Sequence, residues 1–165
     1  HRADALVVSH TQQKIPTYER KVQQASGKQP IAWTSHHWTE LSIYDSSGKV
    51  VEKLDWLTGK SVAVRLGIGY PGPVIEALVR LGARVAKQLP AGDHQPFSES
   101  EIQLLIEASR EVDAIVMTLK DWVKGRDVID MSLLGCPIVV PNLVLEIVEG
   151  AEELESLLLG VFERG

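Results

Sequence analysis

Cysteine is nearly absent from this chain: Cys136 is the only one in 165 residues. An internal disulfide and a cysteine metal cluster are therefore excluded, and the position of Cys136 before Pro137, at the head of an apolar run, reads as a buried core thiol. Long apolar runs are missing too. Nothing approaches the roughly 18 residues of a membrane span, and the opening HRADALVVSH is too short and polar for a signal peptide. Basic residues are in the minority, 17 Lys and Arg against 22 Asp and Glu, for a net charge of −5. That balance disfavours a dominant electrostatic grip on nucleic acid or anionic lipid, and no nucleic-acid partner is expected. There is no HExxH, and His36 and His37, adjacent in an extended stretch, would point to opposite faces. No metal is expected to be held by these residues. The G-x-x-x-x-G-K-[ST] phosphate loop and the G-x-S-x-G nucleophile elbow are also absent.

What is present is a chain that is 44% hydrophobic, enough to bury a core. It opens directly on a strand pattern, Ala3 to Val8, as expected of a piece of something longer. A helix follows from Pro16 to Ala25, with Gly27 just past its end. From Ile31 the pattern is β: IAWTSHHW, then LSIYD and KVVEKL around Asp45, Ser46, Ser47 and Gly48, a hairpin with Glu40, Lys49 and Lys53 on its exposed face. After Gly59 come an apolar strand, Ser61 to Leu66, interrupted only by Arg65, and an amphipathic helix, Pro71 to Leu81, ended by Gly82. Ala83 to Leu89 is a strand, and Ser98 opens a helix with Glu101 at capping-box spacing. Asp113 to Met117 is a buried strand, and Asp121 to Val123 a short helical turn. Cys136 to Val140 is a strand interrupted by Pro141, with NLVLEIV as its continuation, and an acidic amphipathic helix, Ala151 to Phe162, closes the chain. The alternation from residue 61 onward predicts an α/β fold with a Rossmann-like open, mainly parallel sheet and helices on both faces.

In an open parallel sheet, ligands bind beyond the carboxyl ends of the strands. Three polar loops follow predicted strands: GIGYPG at 67 to 72, AGDHQPF at 91 to 97 and TLKDWVK at 118 to 124. They should share one edge. GIGYPG has G-x-G-x-x-G spacing, which suits either a pyrophosphate at a helix N-terminus or a tight turn between strand and helix. The acidic residue that would hold a ribose about 20 positions on is missing, for that region reads Arg84, Lys87 and Gln88. His94 has a side chain suited to proton transfer at neutral pH, or is a surface histidine; its neighbour Asp93 either supports it or caps the loop. Lys120 and Asp121 either orient a phosphate or sugar or cap the helical turn that follows.

Taken in order, these loops resemble the tetraacyldisaccharide 4'-kinase (lipid A 4'-kinase) family. Gly67, Ile68, Gly69, Tyr70 and Pro71 stand where the family has Gly-Ile-Gly-Asn-Pro. Asp93, His94, Gln95 and Phe97 stand at its Asp-His-His motif with a nearby aromatic, and Thr118, Leu119, Lys120, Asp121, Trp122, Val123 and Lys124 at its Thr-Glu-Lys-Asp-Ala-Val-Lys. Arg2, Ala3 and Asp4 resemble the segment before the last strand of the family's nucleotide-binding half. Tyr70, Gln95 and Leu119 depart from the pattern.

The resemblance implies three parts: residues 1–30 as the terminal strand and helix of an N-terminal P-loop kinase domain, 31–58 as a two-stranded linker, and 59–165 as a C-terminal Rossmann-like domain. It implies transfer of the ATP γ-phosphate to the 4'-hydroxyl of an acylated glucosamine disaccharide 1-phosphate, in the cytoplasm and peripheral at the inner membrane. ATP and Mg²⁺ would be held by the P-loop half, which these residues lack, so that they alone would be inactive. His94 would be the catalytic histidine, and Asp93, Gly67, Gly69, Pro71, Thr118, Lys120, Asp121 and Lys124 would line the cleft. A noncatalytic α/β module that binds a ligand or partner is the alternative, with an NAD(P)-binding oxidoreductase domain behind it.

Overall fold

A computed structural model describes residues 3–9, 13–91 and 97–162. Its contacts divide the chain into two compact units, His1–His37 with Leu143–Gly165, and Trp38–Asn142. Two long strands, β2 (Ala32–Asp45) and β7 (Ile138–Glu149), contribute residues to both.

In the first unit, β1 is only Val7–Val8 and pairs in parallel with Ala32 and Trp33 of β2. The strand predicted from Ala3 is shorter because pairing with β2 begins only at Val7. Helix α1 spans Pro16–Ser26, begun by a proline whose missing N–H has no helical partner to lose, and ended by Gly27 at φ 73°. Helix α5 spans Ala151–Phe162, as its periodicity predicts. Between β7 and α5, Gly150 has φ 80°, and a Cβ there would run into the Ile31 carbonyl oxygen. Only glycine fits both the left-handed backbone and the close approach.

The second unit holds the sheet that positions the candidate site. Its further elements are β3 (Gly48–Glu52), β4 (Ser61–Arg65), α2 (Gly72–Arg80), β5 (Arg84–Leu89), α3 (Glu99–Ser109), β6 (Ala114–Met117) and α4 (Leu119–Gly125). Strand β3 pairs antiparallel with β2 across the two-residue turn Ser46–Ser47, where the Asp45 carboxylate accepts from the Ser47 and Gly48 amides. The adjacent order β7, β6, β4, β5 is parallel throughout. Strand β7 is continuous through Pro141 rather than interrupted by it. Its register with β6 ends at Val139, so proline stands where that ladder no longer asks for its missing N–H.

Alternation along the strands divides the interior into two layers. Val62, Val64, Val116 and Val139 face Leu78 of α2 and Leu41 and Ile43 of β2. Ala63, Ile115, Met117, Ile138 and Val140 face Leu105 and Ala108 of α3 and Trp122 of α4. Helices thus cover both faces, and the fold is the mainly parallel α/β arrangement that the alternation predicts. Each fully buried aliphatic such as Leu78 or Leu105 stabilises by about 1.5–3 kcal/mol.

Candidate functional site at the carboxyl edge of the sheet

The connections reverse direction between β4 and β6. From β4 the chain passes through α2, packed on one face, to β5; from β6 it passes into α4, packed on the other. Loops that leave adjacent strand ends for opposite faces open the crevice where parallel α/β folds bind ligands. The loops after β4 and β6 meet there, as strand polarity predicts.

The junction is built around Asp121. Thr118 is the N-cap of α4: its hydroxyl accepts from the Asp121 amide at 3.1 Å and donates to Asp121 Oδ2 at 2.7 Å. The same Oδ2 accepts from the Gly67 amide at 2.9 Å, and Oδ1 accepts from Arg65 Nη1 at 3.3 Å. Asp121 is 1% exposed, so its charge is held by protein donors rather than by water. Gly67 is held through both of its backbone groups, because Lys120 Nζ donates to its carbonyl at 3.3 Å.

Arg65 extends the junction to α3. As the last residue of β4 it follows Ala63 onto the face that carries α3 and α4, and it is 2% exposed. Its Nη2 donates to Glu101 Oε1 at 2.9 Å, and the Phe97 ring lies 3.6 Å from its Cζ. Glu101 closes a capping box: its Oε2 accepts from the Ser98 amide at 2.9 Å while Ser98 Oγ accepts from the Glu101 amide. Burial pushes the Glu101 carboxyl up, but the Ser98 amide and the Arg65 guanidinium outweigh it and hold the group below the ordinary carboxylate range. Phe97 also lies against α4, where a Cβ on Gly125 would sit 3.0 Å from the ring and 2.7 Å from Ile129 Cδ1.

Of the predicted site residues, Gly67, Thr118, Lys120 and Asp121 are thus joined in one network. Gly69 is exposed with open space around it, and Pro71 is the N-cap of α2, with the Tyr70 ring 3.4 Å from where a Gly72 Cβ would be. Lys124 is half-buried in the last turn of α4. Those three stand outside the network. Asp93 and His94 lie outside the described residues; Phe97, three positions after His94, lies against Arg65 and the Gly125 position. In the sequence Arg65 stands out only as the one charge in its strand, Glu101 only as part of a capping box and Phe97 only as the aromatic of a family-like motif, and none of the three is a candidate site residue there. The available signal was Arg65 itself: a guanidinium in an otherwise apolar buried strand requires carboxylate partners.

The geometry also bears on the G-x-G-x-x-G pattern. The amide of Gly67, its first glycine, points at the Asp121 carboxylate, so an anion is already in place where a pyrophosphate would seek that donor. Among the described residues, no three His, Cys, Asp or Glu side chains gather as metal ligands. Cys136 is half-buried, and burial, with Asp113 adding to it, pushes its thiol up to about 11.

Known proteins match the chain over most of its length. The model of the tetraacyldisaccharide-1-P 4'-kinase family matches residues 1–163. A tetraacyldisaccharide 4'-kinase of Rhodospirillum centenum is 39% identical over 69 residues, 41% of this chain and 20% of that protein. Its counterpart in Chlorobaculum parvum is 32% identical over 102 residues, 59% of this chain and 28% of that protein. The counterpart in Anaeromyxobacter sp. is 27% identical over 169 residues, 95% of this chain and 42% of that protein. A crystal structure of LpxK from Aquifex aeolicus in complex with ATP aligns with 98% of this chain and 43% of that one, at 20% identity and a TM-score of 0.45. The chain spans about two fifths of the length of the Anaeromyxobacter relative.

Proposed function

The chain belongs to the tetraacyldisaccharide-1-P 4'-kinase family, and on that premise we propose that it is part of an ATP-dependent kinase acting on the 4'-hydroxyl of a tetraacyldisaccharide 1-phosphate in lipid A biosynthesis. The observation that carries the reading is the junction of Gly67 with Thr118, Lys120 and Asp121, which ties two of the three family-like loops together at the carboxyl edge of the sheet.

Phosphoryl transfer asks a protein mainly for positioning and charge stabilisation, with a base near the attacking hydroxyl. In this reading His94, supported by Asp93, takes up the hydroxyl proton, and Asp121 and Thr118 build the cleft wall by fixing Gly67. Gly69, Pro71 and Gly72 form the turn that leads into α2. Lys120 and Lys124 supply positive charge near the phosphates. ATP and Mg²⁺ are assigned to the rest of the full-length protein. The described residues do not fit the metal, because no ligand cluster exists among them and Asp121 already accepts from three protein donors. Residues 1–30 as the end of a P-loop domain, 31–58 as a linker and 59–165 as the second domain belong to the same reading, as does the inactivity of these residues alone. Among the described residues no helix is long and apolar enough to cross a membrane. We assign the enzyme to the cytoplasmic surface of the inner membrane, where its lipid disaccharide substrate is held.

The test is a phosphorylation assay of the full-length protein with ATP, Mg²⁺ and tetraacyldisaccharide 1-phosphate. Product phosphorylated at the 4'-position is expected, and His94→Ala should lower kcat about 100-fold or more while the fold survives. A full-length protein that binds the lipid without transferring phosphate would replace this reading with the noncatalytic module.

A further inference from the structure

The residues that bear the family likeness do not include the one that holds their loops together. Arg65 ends β4, and three separate elements converge on its guanidinium: Asp121 from α4, Glu101 from α3, and the Phe97 ring that precedes α3. A guanidinium is planar, with five N–H donors and two faces, so it alone among side chains can engage two carboxylates along its edge while a ring stacks on its face. Among the described residues, the buried Nε of Arg65 has no hydrogen-bond partner. A residue kept at that cost gives stability that apolar packing supplies more simply.

We propose that Arg65 is a positioning residue, whose guanidinium sets the Gly67 peptide and the Phe97–Glu101 start of α3 in fixed register across the switch point between β4 and β6. It acts through Asp121, which passes its hold to the Gly67 amide, and through Phe97, which is trapped between the guanidinium and the Gly125 position of α4. Gly67 of one family-like loop and Phe97 of another, which the proposed kinase reading places around the substrate, are thereby tied to one side chain. The inference rests on that reading for its effect on turnover but not for its effect on the loops.

The test uses the full-length protein with Arg65→Lys, which keeps the charge but loses the fork and the stacked plane, and Gly125→Ala, which pushes Phe97 while leaving both ion pairs in place. Hydrogen exchange is followed by mass spectrometry, and turnover in the phosphorylation assay. In Arg65→Lys, exchange in peptides covering 66–71 and 97–101 should rise about tenfold or more beyond any rise in 114–117 of β6, which reports only the global loss of stability. Turnover should fall about tenfold with KM for ATP changed less than about twofold, the pattern of lost alignment rather than lost nucleotide binding. Gly125→Ala should loosen 97–101 but not 66–71. Unchanged exchange at 66–71 in Arg65→Lys, or loosening that includes 114–117 to the same degree, would overturn the proposal. If the unaltered protein transfers no phosphate, the kinase reading fails by itself, and the exchange pattern still decides the role of Arg65.

Discussion

Asp121→Asn tests the junction at its centre. The substitution keeps the shape of the side chain and removes its charge. The aspartate accepts from three donors through two oxygens: Gly67 N and Thr118 Oγ1 at Oδ2, and Arg65 Nη1 at Oδ1. Asparagine has one acceptor oxygen and an NH₂, so whichever way it turns, an NH₂ meets a donor. If the oxygen stays with Gly67, Arg65 keeps only Glu101; if it turns to Arg65, the buried Gly67 amide is orphaned. Leaving a buried donor unsatisfied costs about 1–3 kcal/mol, and removing one partner of a buried ion pair about 3–5. The two costs overlap, and Glu101 retains part of the charge pairing, so about 2–4 kcal/mol is expected. The amide of Ile115, which donates to Pro137 O at 3.0 Å in the middle of the sheet, is a suitable reporter. Its native-state exchange should accelerate about 30- to 700-fold, because each 1.4 kcal/mol is a factor of ten. In the double variant with Arg65→Met, the donor that opposes the asparagine is gone, and the combined cost should fall short of the sum by about 1–3 kcal/mol. An Asp121→Asn cost under about 0.5 kcal/mol, or strict additivity with Arg65→Met, would refute the claim that these groups act as one cluster.

Other consequences are simpler to read. Because the folded-state pKa of Glu101 is held below its unfolded value, its contribution to stability is present above the unfolded value, about 4.3, and is lost as pH falls through the folded one. Glu101→Gln should therefore be less stable than the unaltered protein at pH 7, with the gap closing on acidification below pH 4; a gap that is constant with pH would contradict the ion pair with Arg65. Gly150→Ala should cost well over the roughly 1–2 kcal/mol of a left-handed alanine, because its Cβ meets the Ile31 carbonyl. Gly27→Ala, with φ 73° and open space, should cost only that strain, and equal costs in thermal unfolding would dismiss the steric account. With burial pushing its pKa up to about 11, the thiol of Cys136 should react with iodoacetamide about 100-fold more slowly at pH 7.5 than an ordinary thiol, and about tenfold faster for each pH unit gained; a rate matching a free thiol would disprove the burial.

How much of this was legible in the sequence depends on the range of the interaction that decides each feature. Helix α5 was read to the residue, and the Ser98–Glu101 capping box was recognised, because both depend on neighbours within a few positions. The meeting of the loops after β4 and β6 was also legible, since it needs only strand polarity. Pro141 and the length of β1 were misjudged because each depends on where a partner strand stops or starts pairing: β6 beside Pro141, β2 beside Val7. Arg65 was visible yet unread. Asp121 and Glu101 lie 56 and 36 residues away from it in the chain, and no local pattern names them.

The physical demand that links them was nevertheless present in the strand itself. A charge in a run otherwise as apolar as Val62 to Leu66 must find carboxylates on the face to which alternation sends it, and α3 and α4 pack on that face. Each of those helices begins with an acidic residue three positions after its N-cap, Glu101 after Ser98 and Asp121 after Thr118. Such a residue is held near the first turn of its helix, and the first turns of α3 and α4 lie at the carboxyl edge where β4 ends. Two local capping patterns and one buried arginine therefore specify the same long-range cluster, and that cluster fixes the Gly67 peptide at the mouth of the candidate site.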